Sequence, residues 1–422
     1  MNASRLAYTS LLTLATPLAL ARLAWRARRQ PAYLQHVGER FGFYPGAAPS
    51  PPPIWLHAVS VGETRAAEPL IPALRAAFPQ HPILLTHTTP TGRATSQELF
   101  GDGVARCYLP YDLPFAVHGF LRHYRPRAGL LMETELWPNL VLESRRAGVP
   151  VLLVNARMSE RSAHGYAKVG GLARTVLQAL AGVGAQTEAD AQRLHALGAA
   201  AVTVTGNLKF DRAAGAGDLA GGEALRGLFG ARPVLLAAST REGEEALLLD
   251  LVRGFPAEVL TVIVPRHPQR FEEVGRLIEK AGLACQRRSA NQRIEAGTQV
   301  VLGDSMGEMF AYYAACDVAF IGGSLLPLGG QNLLEACAVG RPVLIGPHTF
   351  NFALATEAAI AAGAAQRVAD GGGLQSAVLE LLGDPSRRAR MAEAGRAFVQ
   401  QHRGATRRTV ELLRQTLAGQ RR

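Results

Sequence analysis

Gly322-Gly323-Ser324-Leu325-Leu326-Pro327-Leu328-Gly329-Gly330-Gln331-Asn332-Leu333-Leu334-Glu335 follows directly on the apolar run Val318-Ala319-Phe320-Ile321. An apolar run that stops at paired glycines, then a second glycine pair and an apolar segment continuing through Ala336 and Ala338, reads as strand, loop and helix. Two glycine pairs let a backbone approach a ligand closely, and free N–H groups at a helix start favour an anion. A phosphate suits such a loop. Glu335, on the predicted helix, is placed to accept hydrogen bonds from two ribose hydroxyls. A tight turn with a solvated glutamate accounts for the same residues equally well.

Outward from this stretch the same pattern recurs. Short apolar runs at 54–59, 83–86, 128–132, 151–154, 182–185 and 202–204 alternate with Ala/Leu-rich segments of helical length. Residues 212–222 are rich in glycine and alanine and mark a break, after which runs at 234–237, 260–264, 300–302, 318–321 and 343–345 resume the rhythm. Such alternation predicts parallel sheets covered on both faces. The chain is therefore read as two doubly wound α/β domains, residues 31–211 and 223–422, joined by a linker at 212–222. Beyond about Pro385 the sequence is helical and basic, ending Gln420-Arg421-Arg422.

Residues 6–21 are uncharged and mostly apolar, with Arg5 before them and Arg22, Arg26, Arg28 and Arg29 after them. A membrane helix needs about 17–25 such residues, and Pro17 interrupts the run. The basic cluster lies on the wrong side for a cleavable signal, so residues 1–30 are expected to be an uncleaved anchor, spanning the bilayer or lying in its interface. The arginine excess places the remainder on the cytoplasmic side. Residues 47–53 are Pro-rich and read as the connection to the globular body.

Over 422 residues the formal charge is +11, which favours acidic partners. Aromatic residues make up only 6%, and no Lys-rich tract occurs, so a stacking platform for single-stranded nucleic acid is not evident. Cys107, Cys285, Cys316 and Cys337 form no C-x-x-C pair, which indicates a reducing compartment without structural zinc.

Polar residues gather where strands should end, which in open α/β sheets is where ligands bind. His57, Ser60, Gly62 and Glu63 follow the first run, and Glu133 and Glu135 follow the run at 128–132. Asn207 and Lys209 follow the run at 202–204, Arg266 and His267 follow Pro265, and Asp304 to Met309 follow Leu302. One shared cleft could hold them all. Glu63 is also simply a favourable first-turn residue, and Arg266 could be a surface arginine. There is no G-x-x-x-x-G-K-[ST] loop, no G-x-G-x-x-G after a strand, no Asp-x-Asp and no His/Cys cluster at metal spacing. What remains is a site that manages anionic charge with backbone N–H groups and basic side chains.

Read together, several segments resemble the Kdo transferases, the 3-deoxy-D-manno-octulosonic acid transferases of lipopolysaccharide synthesis. They are His57-Ala58-Val59-Ser60-Val61-Gly62-Glu63, Met132-Glu133-Thr134-Glu135-Leu136-Trp137-Pro138-Asn139, Thr205-Gly206-Asn207-Leu208-Lys209-Phe210-Asp211 and Gly346-Pro347-His348-Thr349-Phe350-Asn351-Phe352. The resemblance implies a GT-B glycosyltransferase: two Rossmann-like domains facing a central cleft, the first binding acceptor and the second CMP-Kdo, with an N-terminal membrane-anchor helix. It implies inverting transfer of Kdo from CMP-Kdo to a lipid A precursor (lipid IVA), with no metal and no cofactor, on the cytoplasmic side of the inner membrane and against its anionic lipids. Nucleic acid is not among the implied partners.

By the same resemblance Glu63 is the general base, and Glu133 and Lys209 stabilise the transition state. Pro265, Arg266, Gly307, Glu308, Met309, Asn332, Leu333, Leu334 and Glu335 contact CMP. Gln331 departs from the family, which commonly has histidine there. Another nucleotide-sugar transferase, using a UDP-sugar or ADP-heptose, is the neighbouring alternative, and a membrane-associated nucleic-acid-binding protein is the alternative of a different class.

Overall fold

The computed structural model describes residues 3–419. The three residues that close the basic C-terminal segment lie outside it. Two compact units result: one comprises Met1–Arg212 with Arg403–Arg422, the other Ala213–His402.

The first unit is built on seven parallel strands, β1 (Ile54–His57), β2 (Ile83–His87), β3 (Ala105–Tyr108), β4 (Ala128–Met132), β5 (Val151–Ala156), β6 (Gly182–Ala185) and β7 (Val202–Val204). Their order is β3-β2-β1-β4-β5-β6-β7. Successive side chains point to opposite faces, and here both faces are covered. Trp55, Leu131 and Leu153 enter one core with Phe120 and Val176. Ile54, Leu56, Leu130 and Leu152 enter the other with Leu70 and Leu74. This is why the strands read as unbroken apolar runs rather than alternating ones. The order reverses between β1 and β4, so a crevice opens beyond His57 and Met132.

The second unit repeats the plan with β8 (Val234–Thr240), β9 (Leu260–Pro265), β10 (Cys285–Arg287), β11 (Val300–Leu302), β12 (Val318–Ile321), β13 (Val343–Ile345) and β14 (Ala365–Arg367). The order is β10-β11-β9-β8-β12-β13-β14, again all parallel. Its reversal lies between β8 and β12, with Val318 opposite Leu235 and Ile321 opposite Ala238. The glycine-rich stretch therefore leaves a strand that borders the switch point.

Two expectations about the chain's division need correction. Residues 216–222, read as linker, open the helix Ala216–Phe229. Gly222 serves close packing: a Cβ added there would lie 2.4 Å from the Ala314 Cβ on the helix Met309–Ala315. The last helix, Ala405–Gly419, was expected with the second domain but belongs to the first unit. It buries Ala405, Val410, Leu413 and Leu417 in the core beside Leu56 and Leu130, and Asp211 accepts the Gly404 N–H at 2.6 Å. At the other end, the apolar segment forms one helix, Ala3–Ala27, with Pro17 inside it. It is the one helix among the described residues long and apolar enough to cross a membrane.

Candidate active site

In the first unit the loop after β1 enters the short helix Val61–Ala66, whose N-cap is Ser60. Glu63 turns its carboxylate back on that loop. Val59 donates its N–H to Glu63 Oε2 at 2.8 Å and Ser60 Oγ donates to Oε1 at 3.2 Å. The carboxylate is 9% exposed. Burial pushes its pKa up to about 8, and the nearby charges of Glu133 and Glu135 add to the rise against the pull of the Val59 N–H and Ser60. A carboxyl poised near neutrality can take and release a proton under physiological conditions.

The loop bearing Glu63 is held from β2. His87 Nδ1 lies 2.8 Å from the Ala58 carbonyl and its Nε2 2.9 Å from Ser96 Oγ. Thr89 Oγ1 donates to the Val59 carbonyl at 3.2 Å while capping the helix Pro90–Phe100. Burial holds His87 at about 4 and His57, on β1, at about 3. Both imidazoles are therefore neutral hydrogen-bonding parts of the sheet edge, and His57, with Nδ1 2.9 Å from Thr86 Oγ1, is a strand residue.

Glu133 follows β4 across the switch point and adopts a left-handed φ of 58°, rare for a residue with a side chain. Its N–H donates to Val154 O at 3.0 Å, which ties the turn to β5. Burial raises the Glu135 carboxyl, and Glu133 raises it further. Lys209 sits in the 3₁₀ helix Leu208–Asp211, anchored by Lys209 N–H to Asn207 Oδ1 and Leu208 N–H to Asn155 Oδ1, both at 3.0 Å. Glu63, Glu133 and Lys209 thus all belong to this unit, and Glu63 and Glu133 are near enough for their charges to interact.

In the second unit Pro265 ends β9 and Arg266 follows, its N–H on Thr240 O at 2.9 Å. Arg266 Nε donates to Gln331 Oε1 at 3.3 Å. That amide oxygen holds the guanidinium without charge. Asn332 Nδ2 donates to Glu335 Oε1 at 3.1 Å, and Asn332 Oδ1 accepts the Leu334 N–H at 3.1 Å. Leu333 and Leu334 are buried, so only their backbone is available to a ligand. Gly307 has φ 79°, Glu308 pairs with Arg288 at 2.9 Å, and Met309 opens its helix. These residues follow β11, β9 and β12, three of the four consecutive strands β11-β9-β8-β12.

The glycine loop itself differs from the expectation. Glu244, fully buried on the helix Glu244–Val252, accepts the N–H groups of Ser324 and Leu325 at 2.9 and 3.0 Å and that of Gly323. Gly330 and Gln331 donate to the carbonyls of Gly323 and Gly322. The helix after the loop is Leu334–Ala338, well beyond the second glycine pair. In the first glycine pair the Gly323 N–H therefore serves a protein carboxylate and the Gly322 N–H the Ala238 carbonyl at 2.8 Å, so neither is free for a phosphate. Sequence reasoning missed Glu244. The available signal was Gly243-Glu244 after β8, which repeats Gly62-Glu63 after β1. Among the described residues no group of three His, Cys, Asp or Glu side chains is placed to hold a metal.

Two Rossmann-like units define the GT-B fold class. Consistent with it, the chain superposes on the UDP-GlcNAc 2-epimerase of Neisseria meningitidis bound to UDP-GlcNAc with a TM-score of 0.58, at 16% identity over 86% of this chain and 99% of that one. Residues 35–212 match the family described as 3-deoxy-D-manno-octulosonic-acid transferase (kdotransferase). A 3-deoxy-D-manno-octulosonic acid transferase of Bordetella pertussis is 48% identical over 93% of this chain and 96% of its own length. One from Haemophilus influenzae is 39% identical over 97% of this chain and 98% of its own. The chain belongs to the 3-deoxy-D-manno-octulosonic acid transferase family.

Proposed function

We propose that the protein transfers Kdo from CMP-Kdo to a lipid A precursor, lipid IVA, with inversion at the anomeric carbon and without a metal in the transfer step. The observation that carries this reading, beside family membership, is Glu63: a buried carboxyl at the β1/β4 switch point, held near neutrality and fixed by Val59. An acceptor hydroxyl attacks the anomeric carbon as its proton passes to Glu63, and the bond to the CMP phosphate oxygen breaks. CMP departs as a phosphate monoester. Arg266 is the proposed guanidinium for its phosphate, with Gly307, Glu308, Met309 and the backbone of Asn332, Leu333, Leu334 and Glu335 around the nucleotide. Glu133 and Lys209 are proposed to stabilise the transition state. Attack opposite the leaving group inverts the centre and needs no enzyme-bound intermediate.

Both substrates are anionic, which suits a chain of charge +11. We place it at the inner membrane, its two units on the cytoplasmic side, because helix Ala3–Ala27 is long and apolar enough for membrane association and is trailed by arginines. The test is transfer from freshly generated CMP-Kdo to detergent-dispersed tetraacylated lipid A precursor, resolved by mass, for wild type and Glu63→Gln. One Kdo increment or more that the variant lacks supports the reading. Equal turnover by both refutes the base. Protection by UDP or ADP in place of CMP refutes the donor.

A further inference from the structure

Helix Ala3–Ala27 has two unlike faces. Arg5, Tyr8, Leu12, Thr16, Ala19 and Leu23 are buried or half-buried, and their steps of three and four trace one side of a helix. That side meets the body of its own unit in its first turns and is buried again in its last. In the first turns Arg5, only 3% exposed, donates through Nε to Asn139 Oδ1 at 2.8 Å and pairs with the buried Glu143. Tyr8 donates its hydroxyl to Asp112 Oδ2 at 2.9 Å, and Asp112 also accepts the N–H groups of Asn139 and Leu140 at the start of the helix Pro138–Arg146. In the last turns Leu23 and Ala27 are buried, and the Arg26 guanidinium lies 5.2 Å from the ring of Tyr33.

The opposite side is bare. Leu11, Leu14, Leu18 and Trp25 are 68%, 78%, 74% and 59% exposed and fall on one row. Arg22 continues that row, and Arg26, Arg28 and Arg29 are exposed just beyond.

We infer that this helix lies along the bilayer surface, its leucine row immersed at the boundary of headgroups and acyl chains, and does not cross the membrane. The inference rests on the membrane association proposed above and fixes its geometry. The helix is ~37 Å long at 1.5 Å per residue, against a hydrocarbon core of ~30 Å. If it crossed, its first turn would reach the far headgroups while Asp112, Asn139 and Glu143 stayed with the soluble body. Arg5 would leave Asn139 and the buried Glu143, which would keep only its more exposed partners Arg146 and His118, and Tyr8 would leave Asp112. Lying flat keeps every one of these contacts. It also sets Trp25 at headgroup level and the four arginines against anionic phosphates, so the occupant is a bilayer containing anionic lipid.

The test uses the full-length protein, a Leu14→Trp variant and a Trp25→Phe blank, bound to vesicles of phosphatidylethanolamine and phosphatidylglycerol carrying lipids brominated at shallow or deep acyl positions. Leu14 is at the middle of the helix and highly exposed, which leaves room for a larger side chain. The expected result is flotation with the vesicles, and stronger quenching by the shallow bromines for both Trp25 and the Leu14→Trp indole. Strongest quenching of the Leu14→Trp indole by deep bromines, with Trp25 shallow, would mean a crossing helix; it overturns the inference and leaves membrane association standing. Failure to float overturns both, while Kdo transfer in detergent judges the catalytic reading separately. A dimer that Leu14→Arg dissociates, without flotation, assigns the row to a second copy and also overturns the inference.

Discussion

Ser324 donates its backbone N–H to Glu244 Oε1 at 2.9 Å, joining the loops that leave β12 and β8 on either side of the second unit's switch point. Gly323 and Leu325 donate to the same carboxylate. Glu244→Ala strands these buried donors, at about 1–3 kcal/mol for each one left unsatisfied, so the variant should lose ~3 kcal/mol or more in urea melts. Glu244→Gln keeps one acceptor oxygen and should lose less. If the loop borders the CMP site, CMP affinity by calorimetry falls in the same order. Unchanged melting in Glu244→Ala would show that the loop holds its shape without the carboxylate.

Glu63 ties pH to both rate and stability. If its ionised form accepts the proton, kcat/KM should climb about tenfold per pH unit below the inflection near 8 and level off above it. Glu63→Gln should lower turnover by about 10²–10⁴-fold while leaving CMP binding intact. The stability effect has the opposite slope. The folded carboxyl keeps its proton up to about 8, whereas the unfolded one loses it near its ordinary 4.5. The resulting stabilisation is complete below that lower value and is lost as pH rises through about 8. Wild type should therefore weaken relative to Glu63→Gln across this window, and parallel curves would contradict the buried carboxyl.

Glu135 offers a way to move that inflection without touching Glu63. Its charge is one of those that raise Glu63, so Glu135→Gln should shift the limb of kcat/KM to lower pH. An unshifted limb would mean that burial and Glu133, without Glu135, raise the proton affinity of Glu63.

The runs at 128–132, 182–185, 300–302, 318–321 and 343–345 coincide with strands because interior strands of a covered parallel sheet are apolar on both faces, while the run at 202–204 is the edge strand β7, read from its two valines. The strands that went unread, β3, β10 and β14, are all sheet edges, and Arg106, Arg287 and Arg367 interrupt their apolar character. The placement of candidate residues was legible where polar residues follow a strand directly, as with Glu63, Glu133 and Arg266. Glu244 was not, because its partners lie about 80 residues away on a loop whose glycines suggested a ligand instead. The association of the last helix with the first unit was hidden for the same reason: Asp211 and Gly404 meet only through the tertiary fold.

Gly222 tests the reassignment of the supposed linker. A Cβ there would fall 2.4 Å from the Ala314 Cβ, closer than real side chains approach. Gly222→Val should force the helices Ala216–Phe229 and Met309–Ala315 apart, at about 1–3 kcal/mol for overpacking. A flexible linker would tolerate the change or gain from it, so an unchanged melting midpoint would restore the earlier reading.

Gln331 Oε1 accepts from Arg266 Nε at 3.3 Å. An amide cannot titrate, so this restraint on the guanidinium is the same at every working pH. Gln331→His replaces it with a ring that accepts only while neutral. Once protonated it repels Arg266 and no longer accepts from it. Wild-type CMP affinity should therefore be flat between about pH 5.5 and 8, whereas that of Gln331→His should weaken on the acid side as an imidazole near its usual 6.5 gains its proton. Gln331→Leu should weaken binding throughout, by roughly fivefold for one modest hydrogen bond of about 1 kcal/mol. Equal CMP affinities for all three proteins at all pH values would show that position 331 has no part in CMP binding.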